Sequence, residues 1–390
     1  MKPDTFLKEL QGKNINFLIG SGASFGVVPT LWVNSLNQSF EELLTNPDFT
    51  EAQKHVLYYI WFELWIRKTK ISEFDSGNQT HQQYKIFVNY LIKFLNSEGF
   101  DRPKRINIFT TNYDTLFEVT FDEISKNARL VFFNDGSRGF FHRFFSTENF
   151  HLNISHSGVN DSFNREIPTI NLMKMHGSVT WMKSNETIEV NLENILFNNL
   201  CVQSEQIKQK ITETNARQDI WIDIVKPDNY ENFILNSQLD MQSLSKLLDD
   251  TYEYCNPDID NFYNSYIKLQ VVNPTKEKFS ETVFQQNYYQ LLRMMSYELE
   301  KKDSVLVVFG FSFADEHILE IVRRSIINPQ LKVYVICFDN QAKIRIQEKL
   351  GDLGENKIDY LPGTQNPDGS EVNGNFNYLN SLLSGKASSK

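Results

Sequence analysis

The chain has 390 residues, 41% hydrophobic and 23% charged; this supports two domains, or one large domain with an insertion, and excludes global disorder. Its net charge of −10 argues against direct nucleic-acid binding. The three cysteines, Cys201, Cys255 and Cys337, include no Cys-x-x-Cys pair, which argues against a zinc ribbon or a disulfide framework and for a reducing compartment.

The opening residues MKPDTFLKELQGK carry no apolar signal core. The first predicted strand, Asn14–Ile19, is a continuous apolar run of the kind a buried parallel strand needs, and it ends at Gly20-Ser21-Gly22-Ala23-Ser24. Helical periodicity follows over Asn34–Leu44, Glu51–Lys68 and His81–Asn96. The second of these contains the longest apolar stretch, His55–Ile66. It is shorter than the roughly 20 residues a bilayer span takes, so the expectation is a soluble, cytoplasmic chain without a membrane partner. Its aromatics, Tyr58, Tyr59, Trp61, Phe62 and Trp65, read as core or as an oligomer surface.

A second strand, Arg105–Phe109, leads into Thr110-Thr111-Asn112-Tyr113-Asp114 and then a helix over Thr115–Ile124. Residues 126–164 read as an irregular insertion of hairpins and loops. A third strand, Thr169–Met175, ends at His176-Gly177-Ser178. Residues 183–266 read as a helical insertion with helices over Glu205–Asn215 and Gln242–Tyr254. A strand over Ile267–Val272 is expected to end at Asn273-Pro274-Thr275, before a helix over Glu281–Lys302. Then come strand Ser304–Phe309, the turn Gly310-Phe311-Ser312, helix Asp315–Ile327, strand Leu331–Phe338, the pair Asp339-Asn340 and helix Gln341–Leu350. Residues 351–390 form a tail segment whose end, LLSGKASSK, reads as frayed.

This alternation predicts an α/β fold with a doubly wound, mostly parallel, Rossmann-like sheet built from residues 1–125, 165–182 and 267–350. In such a sheet the strand-end turns gather along one edge, where ligands bind. Each turn also has a plain structural reading. The glycines of Gly20–Ser24 let backbone N–H groups approach a pyrophosphate, or serve an ordinary strand–helix turn. Asn112 and Asp114 are polar groups at a strand end, or helix caps. His176 is a natural general base near neutral pH, or a satisfied structural histidine. Asp315 and Glu316 read as stabilising a helix N-terminus. Ser312, Asp339 and Asn340 are candidates for the phosphate and ribose of a nucleotide.

Taken together and in order, these motifs resemble the sirtuin family. Gly20-Ser21-Gly22-Ala23-Ser24 is similar to the family's G-A-G-x-S loop, and Thr110-Thr111-Asn112-Tyr113-Asp114 to its T-Q-N-x-D motif. His176-Gly177 is similar to the catalytic His-Gly, and Gly310-Phe311-Ser312 to a later G-T-S turn. Three departures stand out. Three cysteines cannot build the four-cysteine zinc site of the deacylases, so no zinc is expected. Val28-Pro29-Thr30-Leu31-Trp32 replaces an acidic-aromatic-arginine signature. Val272-Asn273-Pro274-Thr275-Lys276 stands where the deacylases pin an acyl-lysine peptide.

That last segment resembles the sirtuin-like branch found in anti-phage defence. The resemblance implies an NAD+ glycohydrolase that forms nicotinamide and ADP-ribose. In it Asn112 orients water or a ribose hydroxyl, Asp114 holds the nicotinamide carboxamide, and His176 is the general base. Gly20, Ser21, Gly22, Ala23, Ser24, Thr110, Thr111, Gly310, Ser312, Asp339 and Asn340 then form the cofactor-binding set. The branch also implies a homo-oligomer that works with a HerA-type hexameric ATPase, because no second sensor domain fits after the last strand. The helix Glu51–Lys68 and residues 185–265 are the expected contact surfaces. The alternatives are an NAD+-dependent deacylase or ADP-ribosyltransferase, and a non-catalytic NAD+ or ADP-ribose sensor.

Overall fold

Strands form where short apolar runs end in turn residues. In a computed structural model the described residues are 2–28, 32–33, 36, 38–99, 104–128, 130–213, 240–271, 282–351, 357–362 and 372–385. They divide into two compact units. One comprises Met1–Val27, Ile71–His176 and Gln286–Lys390, the other Val28–Lys70 and Gly177–Gln285.

The first unit is built on a seven-stranded sheet. Its strands are β1 (Asn14–Ile19), β2 (Arg105–Thr110), β3 (Phe132–Asn134), β4 (Thr169–Lys174), β5 (Ser304–Phe309), β6 (Lys332–Ile336) and β7 (Ile358–Leu361). They lie in the order β7-β6-β5-β1-β2-β4-β3, and every neighbouring pair is parallel. The α/β expectation holds.

Alternation along each strand sorts its side chains onto two faces. Phe17, Ile108, Leu172 and Val307 belong to a core they share with Phe6, Phe87, Phe117 and Leu379. These last four come from helices Pro3–Leu10, Gln79–Ser97, Leu116–Ser125 and Phe376–Ser384. Phe17 meets Phe87 edge-on at 5.2 Å. Burying side chains of this size stabilises by about 1.5–3 kcal/mol each.

The other face carries an asparagine ladder. Asn16, Asn107, Asn171 and Asn134 are opposite one another in register, and all are buried. The amide of Asn107 donates to Asn16 at 2.9 Å, that of Asn171 to Asn107 at 2.9 Å, and that of Asn134 to Asn171 at 3.0 Å. The ends are closed by Ser304 Oγ at 3.2 Å and by the N–H of Gly136 at 3.0 Å. A one-residue slip in any strand would move its asparagine to the apolar face, so the ladder pins the register.

The second unit holds the antiparallel hairpin Trp181–Ser184 with Thr187–Val190 and helices Glu51–Trp61, Ile195–Glu213, Met241–Cys255 and Asp258–Tyr266. The first helix starts from a capping box, Thr50 with Gln53, and continues through a π-turn, Phe62–Ile66. Its aromatics are core: Tyr58, Tyr59, Trp61, Phe62 and Trp65 are all buried, and Trp61 Nε1–H donates to Tyr266 at 2.8 Å. That aromatic face is therefore spent inside the unit and is not a surface for other copies.

Three local expectations are corrected. Of the helix predicted over Asn34–Leu44, Phe40–Leu44 is helical, while Asn34, Ser35 and Asn37 lie outside the described residues. Trp32–Val33 pairs instead with Gln38–Ser39, as an aromatic and a β-branched residue favour. No strand forms over Ile267–Val272 among its described residues. Ile267–Gln270 turn at the end of the preceding helix, and Val271 makes a single bridge to Gly177. The apolar run there suits a helix end as well as a strand, so periodicity could not separate them. The tail is not frayed at LLS: Phe376–Ser384 is a helix capped by Asn375, with Leu382 and Leu383 buried. Asn273-Pro274-Thr275 lies outside the described residues.

Candidate active site

Strand order places the first turns of interest. β1 lies between β5 and β2, so the chain leaves it toward one edge and later returns on its other side. A crevice opens at the carboxyl ends of strands where the order reverses in this way. Gly20–Ser24 follows β1, Thr110–Asp114 follows β2, His176 follows β4, and Gly310 follows β5.

The β1 and β5 turns touch backbone to backbone. The Gly20 N–H donates to Phe309 O at 3.0 Å, the Gly22 N–H to Gly310 O at 2.9 Å, and the Ala23 N–H to Gly20 O at 3.0 Å. These N–H groups are taken up by the turns themselves rather than left for a pyrophosphate. The glycines are required by the approach. A Cβ on Gly20 would stand 2.8 Å from Phe311 Cα, and one on Gly310, at φ +64°, would stand 2.5 Å from the Ala23 nitrogen. Ser21 and Gly22 remain on the surface.

The β2 turn is fastened to the same loop through buried side chains. Thr110 Oγ1 donates to Ile19 O at 3.0 Å and accepts from the Asn112 N–H at 3.1 Å, and the Thr111 N–H also reaches Ile19 O, at 3.2 Å. Ser24 Oγ is the hub. It donates to Asp114 Oδ2 at 2.6 Å, and it lies 3.0 Å from Tyr84 Oη and 2.9 Å from Asn112 Nδ2. A hydroxyl has one proton and two lone pairs. With the proton given to the carboxylate, both lone pairs accept, one from Tyr84 and one from Asn112.

The orientation of the Asn112 amide follows. Reversed, its oxygen would face an oxygen with no proton left to give. Asn112 is 6% exposed, and its Oδ1 has no hydrogen-bond partner among the described residues. Asp114 is turned inward. Its Oδ1 caps the following helix by accepting from the Leu116 N–H at 3.1 Å. Burial pushes its carboxyl above the usual carboxylate range, against the opposing pull of Lys174 and the Ser24 bond.

Lys174 closes the network from below. It is buried at the end of β4, 2.6 Å from Glu118 Oε1, and its ammonium also donates to the carbonyls of Tyr113 and Asp114. Burial likewise raises the Glu118 carboxyl. A lysine closing an apolar strand was the visible signal for this group in the sequence. Tyr84, inside an amphipathic helix, gave none.

His176 stands apart from the Ser24 hub and has its own anchor. Its Nε2 lies 3.0 Å from Asp315 Oδ2, and its ring lies 6.3 Å from those of Tyr113 and Tyr288. Asp315 Oδ1 meanwhile caps the helix Glu316–Ser325, accepting from His317 N–H at 2.9 Å and Ile318 N–H at 3.1 Å. The sequence showed only the cap. Farther along the edge, Ser312 is exposed and its carbonyl accepts from Lys349 at 3.2 Å. Asp339 caps its own helix, accepting from the Ala342 N–H at 2.6 Å, and Asn340 is exposed.

Residues 106–221 match a family model described as a SIR2-like domain. The matched stretch contains Asn112, Asp114, Lys174 and His176; the β1 and β5 turns lie outside it. No curated protein matches the chain. Among the described residues no helix is long and apolar enough to cross a membrane. The chain is thus similar to SIR2-like domains over residues 106–221, on a parallel sheet whose strand-end turns carry these groups.

Proposed function

We propose that the chain hydrolyses the N-glycosidic bond between nicotinamide and ribose in NAD+, releasing nicotinamide and ADP-ribose. The observation that carries the reading is the buried Asn112 amide. Ser24, held by Asp114 and Tyr84, fixes its orientation, and its carbonyl oxygen has no hydrogen-bond partner among the described residues. A buried acceptor without a donor costs about 1–3 kcal/mol, so the fold holds it there at a cost that a bound hydroxyl or water would remove.

Asn112 Oδ1 then accepts from a ribose hydroxyl or from the attacking water. Asp114 acts through Ser24, keeping the amide in place, and not by direct contact with the carboxamide. His176 takes the proton as general base. The oxocarbenium-like ribose that develops during cleavage is stabilised by groups already in position. The surface of the Gly20–Ser24 loop, with Ser21 and Gly22, faces the pyrophosphate. Ser312, Asp339 and Asn340 serve the adenosine half. The resemblance extends the proposal to NAD+ depletion in anti-phage defence, by a homo-oligomer acting with a HerA-type hexameric ATPase.

The test is NAD+ consumption by the full chain, read by chromatography of nicotinamide and ADP-ribose. Asn112→Ala and His176→Ala are each expected to slow turnover by about 10²–10⁴, the range for a positioned acid–base group. Wild-type rates in either variant overturn the assignment. Product that forms only when an acyl-lysine peptide is added favours a deacylase instead.

A further inference from the structure

We infer that Asp315 is a positioning residue for His176, holding the imidazole by Nε2 and so leaving Nδ1 as the nitrogen that takes the proton. The inference rests on the hydrolase reading for the direction of proton transfer, and on geometry for the placement.

A helix cap needs one acceptor oxygen, and Ser, Thr or Asn supplies it as well as Asp. Asp315 uses Oδ1 for that purpose and still presents Oδ2 to His176 at 3.0 Å. An ionised carboxylate only accepts, so in the neutral ring the proton sits on Nε2 and the lone pair on Nδ1. Both side chains are largely buried, at 14% and 6% exposure, where a charge-assisted bond is stronger than in water.

The chain also places Asp315 firmly. Phe313, two residues earlier, has a left-handed backbone at φ +54°, and its side chain is buried. That conformation is costly for a residue with a Cβ and persists where the surroundings enforce it. The segment runs directly from Gly310, which is pressed against the β1 turn. The anchor of the base and the glycine turn are thus parts of one short loop, while His176 comes from a strand 139 residues away.

The experiment uses the full chain with Asp315→Asn and Asp315→Ser. Both keep a capping oxygen, so folding is expected to persist. Neither offers a carboxylate to Nε2, and Asn can present an N–H that favours the opposite tautomer. The expected result is a fall in kcat of about 10²–10⁴, as when an orienting aspartate is lost from a His–Asp pair, with KM for NAD+ changed by less than about threefold. Wild-type kcat in both variants overturns the inference.

A second readout does not need turnover: ¹⁵N-histidine spectra, with His176 assigned by His176→Ala. The wild type is expected to show the Nε2–H tautomer and Asp315→Asn to lose it. An Nδ1–H tautomer in the wild type overturns the placement. The Nε2–H tautomer in a chain that consumes no NAD+ supports the placement and overturns the hydrolase reading.

Discussion

Two buried polar networks lie in the same sheet unit, and they differ in one respect. The asparagine ladder is closed: each of its four amides gives and receives, from Ser304 at one end to Gly136 at the other. The Ser24 network is open: Ser24 is saturated, while Asn112 Oδ1 and Glu118 Oε2 have no hydrogen-bond partner among the described residues. A closed network gains nothing from a ligand and serves to fix register. An open one holds a polar atom ready at a cost. The contrast shows why burial of an asparagine does not identify a site by itself; the leftover acceptor does.

The sharpest way to break this contrast is to exchange the effects of the two networks. Asn107→Leu removes the middle of the ladder and orphans Asn16 Oδ1, while Asn171 Nδ2 keeps its bond to Phe150 O at 3.3 Å. At about 1–3 kcal/mol for an orphaned group, the expected loss of stability is about 1–3 kcal/mol in urea denaturation. NAD+ turnover per folded molecule should change little. Asn112→Ala removes one bond to Ser24 and should shift stability by about 1 kcal/mol or less, with the loss appearing in turnover. If both variants lose stability alike, the open network is simply more core.

A smaller effect tests the approach of the two glycine turns. Gly310→Ala must hold a left-handed backbone, which costs about 1–2 kcal/mol, and it adds a Cβ 2.5 Å from the Ala23 nitrogen. Separation of the turns disturbs the loop that carries Ser24. The expected outcome is a lower thermal midpoint together with weaker NAD+ binding by calorimetry. Unchanged binding would detach this turn from the site.

Much of the sheet was legible because its signals are local. Five of its strands, among them Asn14–Ile19 and Ser304–Phe309, are mostly apolar runs followed by turn residues, and that pattern needs no tertiary information. β3 was missed because it is three residues long inside an irregular segment. β7 was missed because Ile358–Leu361 is interrupted by Asp359. At the site, Asn112 and His176 stood out as strand-end residues. Asp315 looked like a cap, which it is, but its second oxygen answers to a residue 139 positions away. Tyr84 and Ser24 are likewise partners across 60 positions. Such pairings have no periodicity to betray them; the asparagine ladder did leave a trace, in Asn16, Asn107, Asn134 and Asn171 of β1, β2, β3 and β4.

The smallest expected effect is a pH dependence that separates the networks without touching turnover. The ladder has no titratable side chain among its four asparagines. The open network has two carboxyls, Asp114 and Glu118, each raised above its ordinary value mainly by burial, with Lys174 opposing. A carboxyl whose folded pKa exceeds its unfolded value holds its proton longer in the native state. Stability then falls as pH rises, from the unfolded carboxyl range near about 4 up to the raised folded value. Asp114→Asn removes one of these titrations and keeps a capping oxygen for Leu116. The stability of the wild type relative to Asp114→Asn, from urea midpoints at several pH values, should therefore decline with rising pH across that window. A wild type that gains on the variant as pH rises would mean that Lys174 and Ser24 outweigh burial, and that the Asp114 carboxylate is a stabilised charge rather than one held at a cost.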